Sequence, residues 1–256
     1  LFLHGTGIEP RFHGLWDDEV WKLLEQAILG ADGIIVTTEY VRDELVKPLV
    51  PLKDDRFLIL PCGVDLEDFQ PGKTGDVREK YGLPETYVIC PGALTLSKGP
   101  QNVVEASQYF NDLAATVLIG AGELKEELES QLGFDGMLLG FVSSEDKAHL
   151  INAAAILTAA PEKKEHFGII YGEALAGGTP VVAYEGGGVG SIVTPDVGVL
   201  TQRDSRALGE AIRKLLEDNH EYNQLTENTR ARAVENYDYP VLVRKLTSWL
   251  ALFLKA

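Results

Sequence analysis

Glu165 and Glu173 bracket the start of a predicted helix, with seven residues between them. The segment around them opens as Pro161-Glu-Lys-Lys-Glu-His-Phe-Gly and continues through a stretch rich in Ala and Gly to Gly188. A short apolar run at 155–158 leads into it. The loop therefore sits at the carboxyl end of a predicted parallel strand, where open α/β sheets bind ligands. The helix begins near Gly168, and its start exposes the amides of Phe167, Gly168, Ile169 and Ile170. Unpaired amides at a helix N-terminus hold an anion or the hydroxyls of a sugar. One glutamate in the loop and one in the first turns of the helix reach different parts of one extended ligand. Taken alone, the same residues also describe an ordinary strand–loop–helix with two solvated glutamates.

Other reactive side chains carry less. His13, His149 and His220 have no partner at metal-ligand spacing and read as surface or core residues. Cys62 and Cys90 show no metal-like spacing and read as reduced core thiols of a cytoplasmic protein. Asp17-Asp18-Glu19 reads as the charged start of a helix. Trp16 and Trp21 read as packing residues.

The elements that must position the glutamates follow from hydrophobic patterning. Strands are predicted at 1–4, 33–37, 57–60, 87–90, 115–119, 137–139, 155–158, 181–184 and 198–200. Most lack strict alternation, the pattern of strands buried on both faces of a parallel sheet. Helices are predicted at 17–29, 39–46, 101–109, 123–131, 144–152, 169–176, 205–217 and 221–236, with Asp17 and Ser144 as N-caps. Strand and helix in turn imply an α/β fold with crossover helices. Residues 70–75, Gln-Pro-Gly-Lys-Thr-Gly, have no apolar periodicity and read as a linker. The division expected is a partial Rossmann-like unit at 1–70, a complete one at 71–237 and a closing helix in 238–256, which packs back toward the first unit. The chain starts at Leu1 inside a strand candidate, which predicts a missing N-terminal segment.

Composition bounds the partners. The chain has 256 residues, 45% hydrophobic and 24% charged, an ordinary globular balance. A net charge of -16 disfavours nucleic acid, whose phosphates need a basic surface. No signal peptide or transmembrane segment is evident.

The segment "HFGIIYGEALAGGTPVVA", with Glu165 and Glu173 in an E-x7-E pattern, resembles the GT-B glycosyltransferases of family 4, the glycosyl transferases group 1. The similarity runs in order through "ADGIIVTTEYVRDEL", "LPCGVDLEDFQP", "PGALTLSKGPQNVVEA", "VLIGAGELKEELES" and "LLGFVSSEDKAHLINAA". The resemblance implies two Rossmann-like parallel-sheet domains, the N-terminal one incomplete. It implies a retaining, metal-independent glycosyltransferase using a UDP- or GDP-sugar, with no cofactor and with a carbohydrate, lipid or small-molecule acceptor. Carried onto matching positions, Glu173 binds the donor ribose, Glu165 lies by the transferred sugar and Lys98 neutralises the diphosphate. The amides of Phe167, Gly168, Ile169 and Ile170 add to that neutralisation, and Phe141 and Val142 meet the base. His4 reaches toward the donor sugar from the first domain. His166 stands where the family often has glycine and reads, like the other histidines, as a surface or core residue, with sugar contact the lesser reading.

Three features depart from the family pattern. Ala93 stands where an arginine often precedes the lysine by five residues. Ser191 stands where glutamate is common. The opening strands of the first domain are missing. An alternative expectation is therefore a non-catalytic, nucleotide-binding glycosyltransferase-like subunit, with a second chain completing the first domain.

Overall fold

All nine apolar runs form strands, and they sort into two parallel sheets. The structure, a computed structural model, describes residues 1–132 and 136–253. The chain order is β1 (Phe2–Leu3), α1 (Asp18–Gly30), β2 (Ile34–Val36), β3 (Phe57–Ile59), α2 (Val77–Tyr81), β4 (Tyr87–Pro91), α3 (Pro100–Ser107), β5 (Ala115–Ile119) and α4 (Lys125–Leu132). It continues with β6 (Gly136–Leu138), α5 (Ser144–Ala153), β7 (Ile156–Ala159), α6 (Ile169–Gly177), β8 (Val181–Tyr184), β9 (Gly198–Thr201), α7 (Ser205–Glu217), α8 (Asn219–Tyr237) and α9 (Tyr239–Leu250).

The larger sheet has the order β6-β5-β4-β7-β8-β9. Counted from β4, this is the doubly wound order 3-2-1-4-5-6, whose switch point lies between β4 and β7. Both faces are apolar, which is why the sequence shows no alternation. Tyr87, Ile89, Val117, Leu157 and Val181 point into one core, with side chains from α5, α6 and α8. Their strand neighbours Val88, Cys90, Leu118, Ile156 and Val182 point into the other, with α3, α4 and α7.

The smaller sheet, β1-β2-β3, is also parallel. Leu3, Ile34 and Val36 bury against Trp21 and Ile28 of α1. Leu58 and Leu60 pack against Leu242, Leu246 and Trp249 of α9. The last helix thus crosses from the large sheet to cover the small one. Residues 254–256 of the expected final segment lie outside the described residues.

Local differences from expectation have physical causes. The expected α-helix at 39–46 is a π-helical segment, Val41–Val46, with the Lys47 amide donating to the Arg42 carbonyl. The wider turn places Val41, Leu45 and Val46, all buried, on one face. The N-cap of α5 is Ser143, not Ser144: its Oγ accepts from the Asp146 amide. Asp17 caps α1 as expected, accepting from the amides of Glu19 and Val20. The short helix α2 was not expected. Lys80 and Tyr81 hold it against α5 through Asp146, at 2.7 to 2.9 Å. Residues 70–75 form turns without regular structure.

Candidate active site

A cavity of about 230 Å³ opens at the carboxyl ends of β4 and β7, the switch point of the large sheet. Lys98, Glu165, Gly168, Ile169 and Ile170 line it. Two loops from distant parts of the sequence meet here. Lys98 ends a 3-10 turn, Leu96–Lys98, after β4. Glu165 lies in the loop between β7 and α6. Hydrogen bonds tie the two loops together: the Glu162 amide donates to the Ser97 carbonyl at 3.1 Å, and Asn102 Nδ2 donates to the Ala160 carbonyl at 3.0 Å. Gly99 permits the approach. Its φ is +67°, and a Cβ there would stand 1.9 Å from the Ala160 oxygen. As a result Lys98 Nζ donates to Glu165 Oε1 at 2.8 Å. The lysine side chain is half exposed, so the ammonium faces the open cavity.

The N-terminus of α6 has Gly168 as its N-cap and no side-chain cap. Its first amides therefore have no partner within the helix and remain available to an anion. Phe167, expected among the donor-binding residues, lines neither this cavity nor the adjoining cleft; its ring is buried edge-on against Tyr237.

Glu173 sits deeper on α6 and is 7% exposed. Both its oxygens lie within 2.7 Å of Lys147 Nζ on α5. Beside this pair runs a second cleft of about 370 Å³, which shares Pro91, Gly92, Ala93 and Ile170 with the first. Phe141, Val142 and Lys147 form its outer side. Its wall is backbone set on backbone. The Gly92 amide donates to Ile119, the Leu94 amide to Ala121 and the Gly120 amide to Gly140. Cys90 lines the first cavity, but burial pushes its thiol up to about 12, which leaves it protonated and inert. Both cysteines are free, and Cys62 is only partly buried.

The structure brings together Lys98, Glu165, Gly168, Ile169 and Ile170 and sets Val142 on the adjoining cleft. Glu173 lines neither cavity and stands behind Lys147, which does line the cleft. His4 does not line either cavity. It follows β1 directly, is exposed and stacks on Phe2 at 4.3 Å. The next residue, Gly5, lies against the ring of His166. That ring turns toward the first sheet's loops, with Nε2 3.3 Å from Glu9. The His166 carbonyl accepts from Thr38 Oγ1 at 2.8 Å. Sequence reasoning did not single out Lys147, whose partner is 26 positions away on another helix.

Residues 75–232 match the sequence profile of the family described as "Glycosyl transferases group 1". The chain belongs to this family. It is 31% identical over 226 residues to a D-inositol 3-phosphate glycosyltransferase of Xylanimonas cellulosilytica, covering 81% of this chain and 54% of the relative. It is 27% identical over 191 residues to the GDP-mannose-dependent alpha-(1-6)-phosphatidylinositol dimannoside mannosyltransferase of Mycobacterium tuberculosis, covering 72% and 49%. The chain thus spans about half the length of the curated relatives it matches. Among solved structures, Anabaena HepE in complex with UDP and glucose superposes with a TM-score of 0.82 at 21% identity, over 98% of this chain and 70% of that one. Sucrose-phosphate synthase from Thermosynechococcus elongatus does so with 0.82 at 22%, over 100% and 68%. The fold of this group 1 family member is therefore of the GT-B type, with two parallel sheets. No helix among the described residues is long and apolar enough to cross a membrane.

Proposed function

We propose that the protein this chain represents is a retaining, metal-independent glycosyltransferase that moves a sugar from a UDP- or GDP-sugar to a hydroxyl acceptor. The observation that carries this reading is the convergence of Lys98, Glu165 and the uncapped start of α6 on one cavity at the sheet switch point. A UDP-bound solved relative and a GDP-mannose-dependent curated relative support the donor class. In this reading the donor diphosphate lies on the α6 amides and Lys98. The ribose hydroxyls meet Glu173, since a carboxylate accepts from two vicinal hydroxyls. The base enters the cleft beside Val142, and the sugar lies by Glu165.

As the glycosidic bond breaks, negative charge grows on the leaving diphosphate. Lys98 and the helix amides are fixed where that charge appears, so they stabilise the transition state more than the ground state. The departing phosphate oxygen takes the proton of the acceptor hydroxyl, which attacks from the same face. The sugar passes through an oxocarbenium-like state that Glu165 faces. Before the donor arrives, Glu165 neutralises Lys98. The diphosphate then competes for that ammonium and releases the glutamate toward the sugar.

The division of labour follows the two sheets. Residues 1–70 serve the acceptor side, with His4 near the junction; residues 71–237 bind the donor; and 238–256 fold back onto the first sheet. Two free cysteines agree with a reducing, cytoplasmic setting. Donor hydrolysis and transfer by the purified protein, with and without EDTA, test the reading, with NMR of the product anomer. Glu165→Ala is expected to lower turnover by about 10²-fold or more. Unchanged turnover in that variant removes Glu165 from the chemistry, and an inverted product overturns retention. Nucleotide binding without turnover favours a non-catalytic subunit that needs a partner chain.

A further inference from the structure

Lys147 is the one charged side chain among the described residues lining the outer cleft. Its ammonium does not point freely into that cleft. It lies 2.7 Å from Glu173 Oε1, 2.6 Å from Oε2 and 5.8 Å from the centre of the Phe69 ring. The lysine comes from the first turns of α5 and the glutamate from α6, so two helices of the large sheet set the geometry. Glu173 is the more enclosed partner, with 9% of its side chain exposed against 30% for Lys147. A carboxylate in this position without a counter-charge would face a large desolvation cost.

The two glutamates of the motif thus differ in kind. Glu165 pairs with a lysine at the mouth of the cavity, half exposed and open to exchange. Glu173 pairs with a lysine below the surface, across a helix–helix contact. A carboxylate offers about four acceptor positions; the ammonium hydrogen-bonds Oε1 and lies against Oε2, which is buried and accepts no hydrogen bond, so acceptor capacity remains for ligand hydroxyls. From this geometry we infer that Lys147 is a positioning residue for the donor: it fixes the Glu173 carboxylate so that its free lone pairs face the ribose hydroxyls. The inference rests on the nucleotide-sugar reading of the site. Lys147 acts through Glu173 and touches neither the reacting atoms nor the phosphates, so it governs nucleotide affinity rather than the chemical step.

The test is a cycle between protein and ligand. Calorimetry measures UDP and GDP binding to the whole chain, and the tighter of the two is repeated as its 2′,3′-dideoxy form. Lys147→Met is expected to weaken the ribonucleotide about tenfold, the size expected for loss of a charged hydrogen bond, and to leave the dideoxy form within about twofold. Lys147→Arg, which keeps a cation beside Glu173, is expected to restore most of the affinity. In turnover, Lys147→Met raises the donor KM and leaves kcat within about twofold. Equal weakening of both ligands overturns the inference, because Lys147 then acts on the base, the phosphates or the fold. No weakening of either also overturns it. A wild-type chain that binds neither nucleotide overturns the donor-site reading itself, and this inference with it. If Lys147→Met does not fold, Lys147→Gln takes its place against both ligands: loss confined to the ribonucleotide supports the inference, and a loss common to both forms or no loss overturns it.

Discussion

Gly99 does as much for the cavity as either charged residue. It ends the turn that carries Lys98, and the Ala160 carbonyl oxygen occupies the space a Cβ would need. Gly99→Ala places a Cβ into that oxygen at a left-handed φ. The substitution is expected to cost about 2 kcal/mol of stability, measured by urea unfolding, and to reduce transfer further by moving Lys98 away from Glu165. A variant with full stability and full turnover would show that the two loops need not touch. At this scale the sequence was readable only in part. Motif and order single out Glu165, Glu173 and Lys98 in the sequence, and the structure sets Lys98 beside Glu165. The pairing of Glu173 with Lys147 was not, because an ion pair across two helices leaves no local periodicity. Nor does the chain's pattern reveal that the ring of His166 turns toward Glu9 and away from the cavity.

The elements were legible because apolar runs and helical patterns were short and well separated. Each predicted strand overlaps an observed one. What failed was local: a π-helical turn chosen by burial of Val41, Leu45 and Val46, an N-cap displaced to Ser143, and the five-residue α2, too short to show a period. The last depends on Asp146. Lys80 lowers the pKa of this carboxyl, as do hydrogen bonds from Tyr81 and the Ser143 cap, against the opposing effect of burial. A carboxyl with a depressed folded pKa contributes stability above its unfolded value of 3.8 and loses it as pH falls through the folded one. Asp146→Asn is therefore expected to lower the melting temperature by ~2–4 °C at pH 7. The difference from wild type should shrink below about pH 4. A gap that stays constant from pH 7 to 3 would contradict the ion pair. On the far side of the small sheet, Leu242 joins Leu58 and Leu60 in a three-residue core. Leu242→Ala is expected to cost about 2–3 kcal/mol. Hydrogen exchange should rise in β2 and β3 and stay unchanged in β4 to β9 if α9 secures only the small sheet.

Across the whole molecule, the two sheets meet through the loop that carries the motif. Thr38 donates to the His166 carbonyl, Glu9 approaches its ring, and the Gly188 amide holds the Glu165 carbonyl at 2.7 Å. The end of α8 closes the same junction from behind, with the Val64 amide bonded to the Tyr237 carbonyl at 3.0 Å. On the proposed reading, a donor nucleotide on α6 would bear on both sheets. At one hundred times its dissociation constant it is expected to raise the melting temperature by roughly 5–10 °C. Differential scanning fluorimetry with UDP, GDP and their sugars checks this and ranks the bases. A shift that no nucleotide produces would count against the donor site.

The backbone-on-backbone wall between the two clefts has a consequence for redesign. A Cβ at Gly120 would lie 1.8 Å from the Gly92 oxygen, and one at Gly122 would lie 2.2 Å from that of Leu94. Libraries that diversify these loops to change donor preference should return mostly collapsed proteins. Phe141, 88% exposed at the outer rim, has room to vary without disturbing that wall. Selection for a new base is expected to accumulate substitutions at this rim and to spare the glycines.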